Sequence, residues 1–195
     1  EVGRKVLLIE RGDDLGQGWR AAAGMLSAQA GAGSEDPLFE LGIAGRERYA
    51  ELAPLLREQS GVDIGLWQEG AIRIATEEGD ATELRTEVAW QRQQGHLCDW
   101  FDAGEVRQRW PWIGPSVGAL WAPRDAALHP GRLVEALVKD AERLGATVIQ
   151  ERVAAVERRG DRVIGVLDKE SYSSPHVIVA AGAWLFSGVW TLLDF

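Results

Sequence analysis

Apolar residues form two continuous runs, one near each end of the chain. The first run ends at Glu10 and the second ends at Gly182. An uninterrupted apolar run of this length is typical of a parallel strand that is buried on both faces. We therefore predict buried parallel strands over residues 5–10 and 176–182.

Between these runs, apolar positions at helical spacing predict several helices. Residues that cap or break helices mark most of their ends. An alanine-rich stretch near the start of the chain is also competent to form a helix. The predicted helices cover residues 20–30, 37–59, 82–94, a short segment from Asp102 to Pro111, and 132–144.

Shorter apolar stretches bounded by turn residues predict β-strands. Residues 62–67 and 71–75 flank Gln68-Glu69-Gly70, which predicts a β-hairpin and hence an antiparallel sheet. Parallel-type strands at both ends with an antiparallel insertion between them predict an α/β fold with interleaved domains. Further strands are predicted over residues 117–122, 147–150, 153–158 and 162–167, the last two joined by Gly160-Asp161.

Composition and charge exclude several classes of protein. The chain has 195 residues, 46% of them hydrophobic and 26% charged, which is the balance of a globular protein. A net charge of −9 repels nucleic acid and anionic membranes, and the apolar runs are far shorter than the roughly 20 residues of a membrane span. The single cysteine excludes an internal disulfide and a cysteine-rich zinc site. We predict a cytoplasmic protein.

Glu10 is the first candidate for chemistry. A carboxylate that closes an apolar strand accepts hydrogen bonds from the adenosine ribose in dinucleotide-binding units, although such an acid is also common as a solvated turn residue. The glycine-rich phosphate turn lies about 20 residues before that acid. Only nine residues precede Glu10, so we expect this turn to be missing from the chain.

Histidine, cysteine and tryptophan residues favour structural roles. His96, His129 and His176 lack the spacing of metal ligands, so no metal site is predicted, and His129 before a proline favours a turn. Cys98 has no neighbouring base that would activate it and is interpreted as a small hydrophobic residue. Aromatic packing is preferred over a substrate pocket for the cluster of Trp100, Trp110, Trp112 and Trp121.

Four short stretches, spread over nearly the whole chain, share the order and spacing of a known family. They are Val-Leu-Leu-Ile-Glu-Arg-Gly from Val6, Ala-Ala-Ala-Gly-Met-Leu from Ala21, His-Pro-Gly-Arg-Leu from His129, and Val-Ala-Ala-Gly-Ala-Trp from Val179. Together they resemble the flavin-dependent amine oxidases of the D-amino acid oxidase type, and most strongly the glycine oxidases of thiamine biosynthesis. The resemblance implies a Rossmann-like FAD-binding domain formed by residues 1–35 and 129–195, interleaved with an antiparallel-sheet substrate domain over residues 36–128.

The resemblance also implies FAD as cofactor and a role for individual residues. The residues alone leave alternatives, because residues 21–26 are also suited to helix packing, Val153 to the core, and residues 181–182 to an ordinary strand end. By the family pattern, the FAD-binding residues are Glu10 at the adenosine ribose, Arg11 beside the adenine end, Ala22, Ala23, Gly24 and Met25 close to the flavin ring, Val153 at adenine through its main chain, and Ala181, Gly182 and Trp184 near the pyrophosphate.

The implied reaction is oxidation of a small amine such as glycine to an imine, with formation of hydrogen peroxide. Sarcosine, proline or a D-amino acid is an alternative substrate, and a non-enzymatic module that packs against another chain is the alternative class. The substrate-gripping arginine and tyrosine of the family come from a C-terminal half beyond these 195 residues, and residues 185–195 depart from its pattern. We therefore expect an incomplete chain that binds FAD weakly and has little or no oxidase activity, with no catalytic residue assigned and a homo-oligomer left open.

Overall fold

The computed structural model describes residues 3–12, 17–33, 37–160, 162–167 and 171–182. The chain divides into two units, residues 1–22 with 137–195, and residues 23–136. In chain order the elements are β1 Leu7–Glu10, α1 Gly18–Ala21, β2 Met25–Leu26, α2 Phe39–Ser60, β3 Ala71–Ala75, α3 Glu78–Gln93, β4 Asp99–Asp102, α4 Ala103–Arg109, β5 Gly118–Ala122, β6 Ala126–Ala127, α5 Pro130–Arg143, β7 Thr147–Gln150, β8 Ala155–Arg159, β9 Arg162–Leu167 and β10 Ser171–Ser173.

The first unit contains a parallel strand pair and a small antiparallel sheet. Strand β1 pairs in parallel with β7, so that Glu10 lies opposite Gln150. Strands β8, β9 and β10 form an antiparallel sheet in which β9 is central. The predicted parallel strand near the start of the chain and the predicted strands 147–150 and 162–167 are thereby confirmed.

Two predictions for the first unit are wrong. The first strand is not buried on both faces, since Leu7 and Leu8 of β1 are 39% and 40% exposed. Pairing with β7 covers one edge of β1 and leaves its side chains, which point to the faces, uncovered. No strand forms at residues 176–182, where Ile178 is 91% exposed and no described strand lies beside it to complete its backbone hydrogen bonds. Asp161 and residues 183–195, including the divergent tail, lie outside the described residues.

The second unit is built on the antiparallel sheet β3-β5-β4. Side chains of β5 alternate between two cores because successive strand residues point to opposite faces. Leu120 and Ala122 pack with residues of α3, whereas Ala119 packs with Val106 of α4. Helix α2 contributes Leu56 to a further core with Ile64 and Leu128. This sheet and these helices confirm the predicted antiparallel insertion and the helices over 37–59, 82–94, 132–144 and after Asp102.

The helix predicted over residues 20–30 is wrong. Helix α1 ends at Ala21, and Gly24 adopts a φ of +79°, a left-handed conformation that a right-handed helix does not contain. Residues Met25 and Leu26 then pair with β6, a partner about a hundred residues further along the chain. Alanine content predicts helix propensity, but this distant pairing overrides it.

The predicted hairpin between residues 62–67 and 71–75 is also wrong. Strand β3 pairs with β5 rather than with the residues before it. Trp67 instead forms an isolated antiparallel bridge with Ala127. The turn residues therefore redirect the chain between two different partners. Across the described ranges, no helix is long and apolar enough to cross a bilayer.

Candidate cofactor site

Glu10 lies at the C-terminal end of a parallel strand with its side chain exposed. Its carboxylate Oε1 accepts a hydrogen bond of 3.4 Å from the backbone N–H of Gly12, and its main-chain oxygen accepts one of 3.0 Å from Glu151 N. An exposed carboxylate in this position retains free lone pairs for hydroxyl donors. The geometry is therefore compatible with ribose binding, and the role itself remains a prediction.

Gly12 lies two residues after this carboxylate, in a backbone conformation that favours glycine. It has a φ of +73°, and a Cβ atom there would overlap the side-chain amide of Gln150 unless that side chain moved. The intervening Arg11 is half-buried.

Residues Ala23 to Met25 of the second unit present a thin, exposed strip of backbone. Ala23 is exposed and Met25 is 62% exposed. The carbonyl oxygen of Gly24 accepts a 2.9 Å hydrogen bond from Leu128 N. A Cβ atom on Gly24 would overlap the carbonyl oxygen of Leu128, so only glycine allows this approach. Ala22, in the first unit, follows α1 and is exposed as well.

Met25 belongs to an exposed apolar row. Ala127 pairs with Met25 on one side and bridges Trp67 on the other, with hydrogen bonds of 2.7 and 2.8 Å to Trp67. Directly paired residues of antiparallel strands point to the same face. Met25 and Trp67, which is 56% exposed, therefore flank Ala127 on one face, while Leu26 on the other face packs in the core.

A cavity of about 460 Å³ is lined by the residues that come after this segment in the sequence and by α2. Its walls are mainly apolar and come from residues 26–28 and from α2, including Gly45 and Tyr49. Ser27 is one of the lining residues, and its hydroxyl is, among the described residues, buried without a hydrogen-bond partner. The cavity therefore offers mainly apolar surface.

Four buried polar residues lie behind the same segment, and sequence analysis missed all of them. Asp125, Gln29 and Gln91 are fully buried, and Arg46 is 5% exposed. Asp125 contacts Arg46 and Gln29, which are 79 and 96 residues away in the sequence. No local pattern marks such residues, because charged side chains far apart in sequence find each other only in the folded chain.

The other predicted FAD-binding residues differ in exposure. Val153 is half-buried in the link between β7 and β8 rather than in a strand. Ala181 is half-buried, and Gly182 is exposed with a φ of +55°. Trp184 lies outside the described residues. Their cofactor-binding roles remain predictions.

Cys98 has the surroundings of a structural residue. It is 1% exposed, and burial, reinforced by the neighbouring Asp99, raises its pKa to about 12. A thiol with this pKa forms almost no thiolate at neutral pH and is a poor nucleophile.

His129 contacts the start of α5, where its Nδ1 accepts a 3.3 Å hydrogen bond from Arg132 N.

The predicted aromatic packing is found for Trp110 and Trp121 but not for Trp112. Trp110 packs against Trp121 with ring centroids 5.3 Å apart and against Phe101 at 5.7 Å, whereas Trp112 is 76% exposed. Within the part of the chain that the structure describes, no three His, Cys, Asp or Glu side chains form a group that could hold a metal ion.

A protein-family model described as FAD dependent oxidoreductase matches residues 1–192. The chain belongs to this family. Among its relatives, glycine oxidase of Geobacillus kaustophilus is 32% identical over 92% of the chain, and 4-methylaminobutanoate oxidase (formaldehyde-forming) of Paenarthrobacter nicotinovorans is 32% identical over 94%. This FAD-dependent oxidoreductase spans only 48% and 22% of the lengths of those two relatives.

The solved structure of glycine oxidase from Geobacillus kaustophilus has the same fold as this family member. The two superpose with a TM-score of 0.87 at 30% identity, covering 92% of the chain and 49% of that protein. The likeness confirms the predicted α/β fold of the FAD-binding type and the predicted resemblance to flavin-dependent amine oxidases.

Proposed function

We propose that this FAD-dependent oxidoreductase oxidises a small amine such as glycine to an imine and produces hydrogen peroxide. The observation that carries the proposal is the similarity to glycine oxidase, which extends over 92% of the chain. The chain spans about half of that relative, so the activity is proposed for the whole protein. Thiamine biosynthesis is the proposed setting, and the cytoplasm the proposed location.

The residues of this chain fit FAD in two places. The exposed carboxylate of Glu10 at the end of a parallel strand suits the hydroxyl groups of the adenosine ribose. Exposed backbone at Ala23 to Met25, kept thin by Gly24, suits close contact with the edge of a planar ring. Bound FAD supplies the hydride acceptor and the site of reoxidation by oxygen.

Further contacts to FAD are proposed on the family pattern. Arg11 and the main chain of Val153 would contact the adenine end, Ala22 the ring, and Ala181, Gly182 and Trp184 the pyrophosphate. Residues 1–35 and 129–195 would form the FAD-binding domain, and residues 36–128 a part of the substrate domain.

The protein's own contribution is to orient the reactants and to exclude water. Met25, Ala127 and Trp67 form an exposed apolar row beside the segment assigned to the ring. An apolar surface at this place displaces water and strengthens the polar contacts that hold the amine. Correct placement of the two reactants is the main catalytic effect that such a surface can provide.

A secondary amine is the second candidate substrate. The relative named 4-methylaminobutanoate oxidase is as similar in sequence, at 32% identity, as the glycine oxidase. Apolar surface at Met25 and Trp67 would accommodate an N-methyl group better than it would water. Sarcosine therefore belongs beside glycine in any assay, together with proline and a D-amino acid.

The test begins with FAD binding by the purified chain. We expect flavin fluorescence to change on titration, and Glu10→Gln to weaken binding by about tenfold or more, since hydrogen bonds to a charged acceptor are lost. Glu142→Gln, which removes an equally exposed carboxylate from α5, serves as the control. Equal binding by both variants would contradict the role of Glu10.

Substrate oxidation is then measured as hydrogen peroxide formed after addition of each amine to the FAD-loaded chain. Peroxide with glycine or sarcosine would identify the preferred amine. Because weak binding is expected of this chain, FAD is titrated to high concentration, and no binding even there would favour the alternative, a module that only packs against another chain.

A further inference from the structure

The carboxylate of Asp125 fixes the chain just after β2. Its Oδ2 accepts a 2.8 Å hydrogen bond from Ala30 N, and both oxygens lie 3.2 Å from Gln29 N. Its Oδ1 also accepts a 2.7 Å hydrogen bond from Arg46 Nη1. Asp125 is fully buried, so water does not compete for these contacts.

Two amide side chains extend this contact to both long helices. Arg46, on α2, donates a second hydrogen bond of 2.8 Å to Gln29 Oε1. The Nε2 of Gln29 donates to Gln91 Oε1 on α3 at 3.1 Å, and Gln91 Nε2 donates back to Gln29 O at 3.0 Å. The turn after β2 is therefore tied to α2, α3 and the loop that carries Asp125.

Strand β2 is short and is held by its pairing with β6 and by Leu26, which packs in the core. It consists of two residues, of which Met25 is mostly exposed. Before the strand, Leu128 N donates to Gly24 O, and after it the carboxylate of Asp125 binds the next turn. Both fixed points belong to residues 125–128, which also include the partner strand β6.

A buried ion pair is suited to positioning more than to stability. Removing two charges from water offsets most of their attraction, so an apolar core would stabilise the fold equally well. Charge-assisted hydrogen bonds are short and directional, however, and they specify one arrangement of the groups they join. The Asp125–Arg46 pair, with side chains 0% and 4% exposed, joins α2 and the loop between β5 and β6 to the turn that follows Gly24 and Met25.

We infer that Asp125 and Arg46 are positioning residues that set the location of Gly24–Leu26. The consequence for FAD rests on the proposed function, which places this segment against the flavin ring. Neither side chain touches the ring in this role. They act through Gln29 and the backbone of residues 29–30.

A matched pair of variants separates positioning from general stability. Arg46→Met removes the partner of buried Asp125, and Arg73→Met removes the partner of buried Glu87, which lies 3.0 Å from Arg73. Asp125→Asn is the milder variant, since it retains one acceptor oxygen. Hydrogen exchange is followed in peptides covering residues 23–30 and 78–93, after correction for the unfolding free energy of each variant.

We expect Arg46→Met to accelerate exchange at residues 23–30 by on the order of a hundredfold, the equivalent of losing a buried charge partner, with a smaller effect in Asp125→Asn. After the same correction, Arg73→Met should leave the exchange rates of residues 23–30 unchanged. Equal patterns in the two arginine variants, or unchanged protection at residues 23–30, would overturn the inference.

FAD titration of the same variants connects the position to the cofactor. We expect Arg46→Met and Asp125→Asn to weaken FAD binding by about tenfold, because a displaced segment must be reordered on binding, while Arg73→Met does not. Loss of protection without any change in FAD affinity would contradict the link to the ring and leave the proposed function intact. Absence of FAD binding in the unchanged chain even at high FAD concentration would count against the FAD-binding part of the proposed function, and hydrogen exchange would still decide the positioning role.

Discussion

Replacement of Gly24 by alanine tests whether the backbone at this position is as constrained as the structure indicates. The φ of +79° costs an alanine about 1–2 kcal/mol of strain. The new Cβ would also overlap the backbone oxygen of Leu128 and lie 2.9 Å from Pro130 Cδ, neither of which can rotate away. Separation of the strands would then break the hydrogen bond from Leu128 N to Gly24 O, at a cost of about 1 kcal/mol.

The sum predicts that Gly24→Ala destabilises the fold by about 2–3 kcal/mol. Gly61→Ala is the matched control, because Gly61 ends α2 with a φ of +72° and has open space where a Cβ would lie. It isolates the conformational strain, which we expect to cost about 1 kcal/mol. Urea unfolding of both variants and of the unchanged chain measures the two values under identical conditions.

Two outcomes would refute the reasoning. Equal destabilisation by Gly24→Ala and Gly61→Ala would mean that the contact with Leu128 relaxes without cost. A destabilised Gly24→Ala chain that still binds FAD as tightly as the unchanged chain would show that the position of this segment is unimportant for the cofactor.

Two further predictions concern buried titratable groups. The pKa of about 12 at Cys98 predicts that a disulfide reagent leaves the native thiol unmodified at mildly alkaline pH and modifies it fully in denaturant, whereas rapid native reaction would contradict its burial. Burial outweighs the attraction of Arg73 and raises the pKa of Glu87 above its ordinary 4.5, so the folded state binds this proton more tightly than the unfolded state does. The associated stabilisation is present below pH 4.5 and is lost as pH rises through the pKa of Glu87 in the folded state. Glu87→Gln should therefore flatten the decrease in unfolding free energy between pH 4.5 and neutrality. An unchanged slope would assign that decrease to other groups.

The sequence by itself determined the elements whose patterns are local. Periodic apolar residues located α2, α3 and α5, and the short apolar run at residues 147–150 located β7 with its observed bounds. A capping acid identified the start of α4, where Asp102 accepts a 2.9 Å hydrogen bond from Glu105 N. The continuous run that ends at Glu10 also placed a carboxylate at the end of a parallel strand.

Only the tertiary structure decided the parts that depend on distant partners. Residues 20–30 have the composition of a helix, yet Met25 and Leu26 pair with β6, and Trp67 bridges Ala127 instead of closing a hairpin. Asp125 and Gln29 are 96 residues apart, and nothing near either residue in the sequence marks the contact. Local patterns predict which face of a segment is buried and where the segment is capped. Long-range pairs instead depend on which surfaces meet when the whole unit packs.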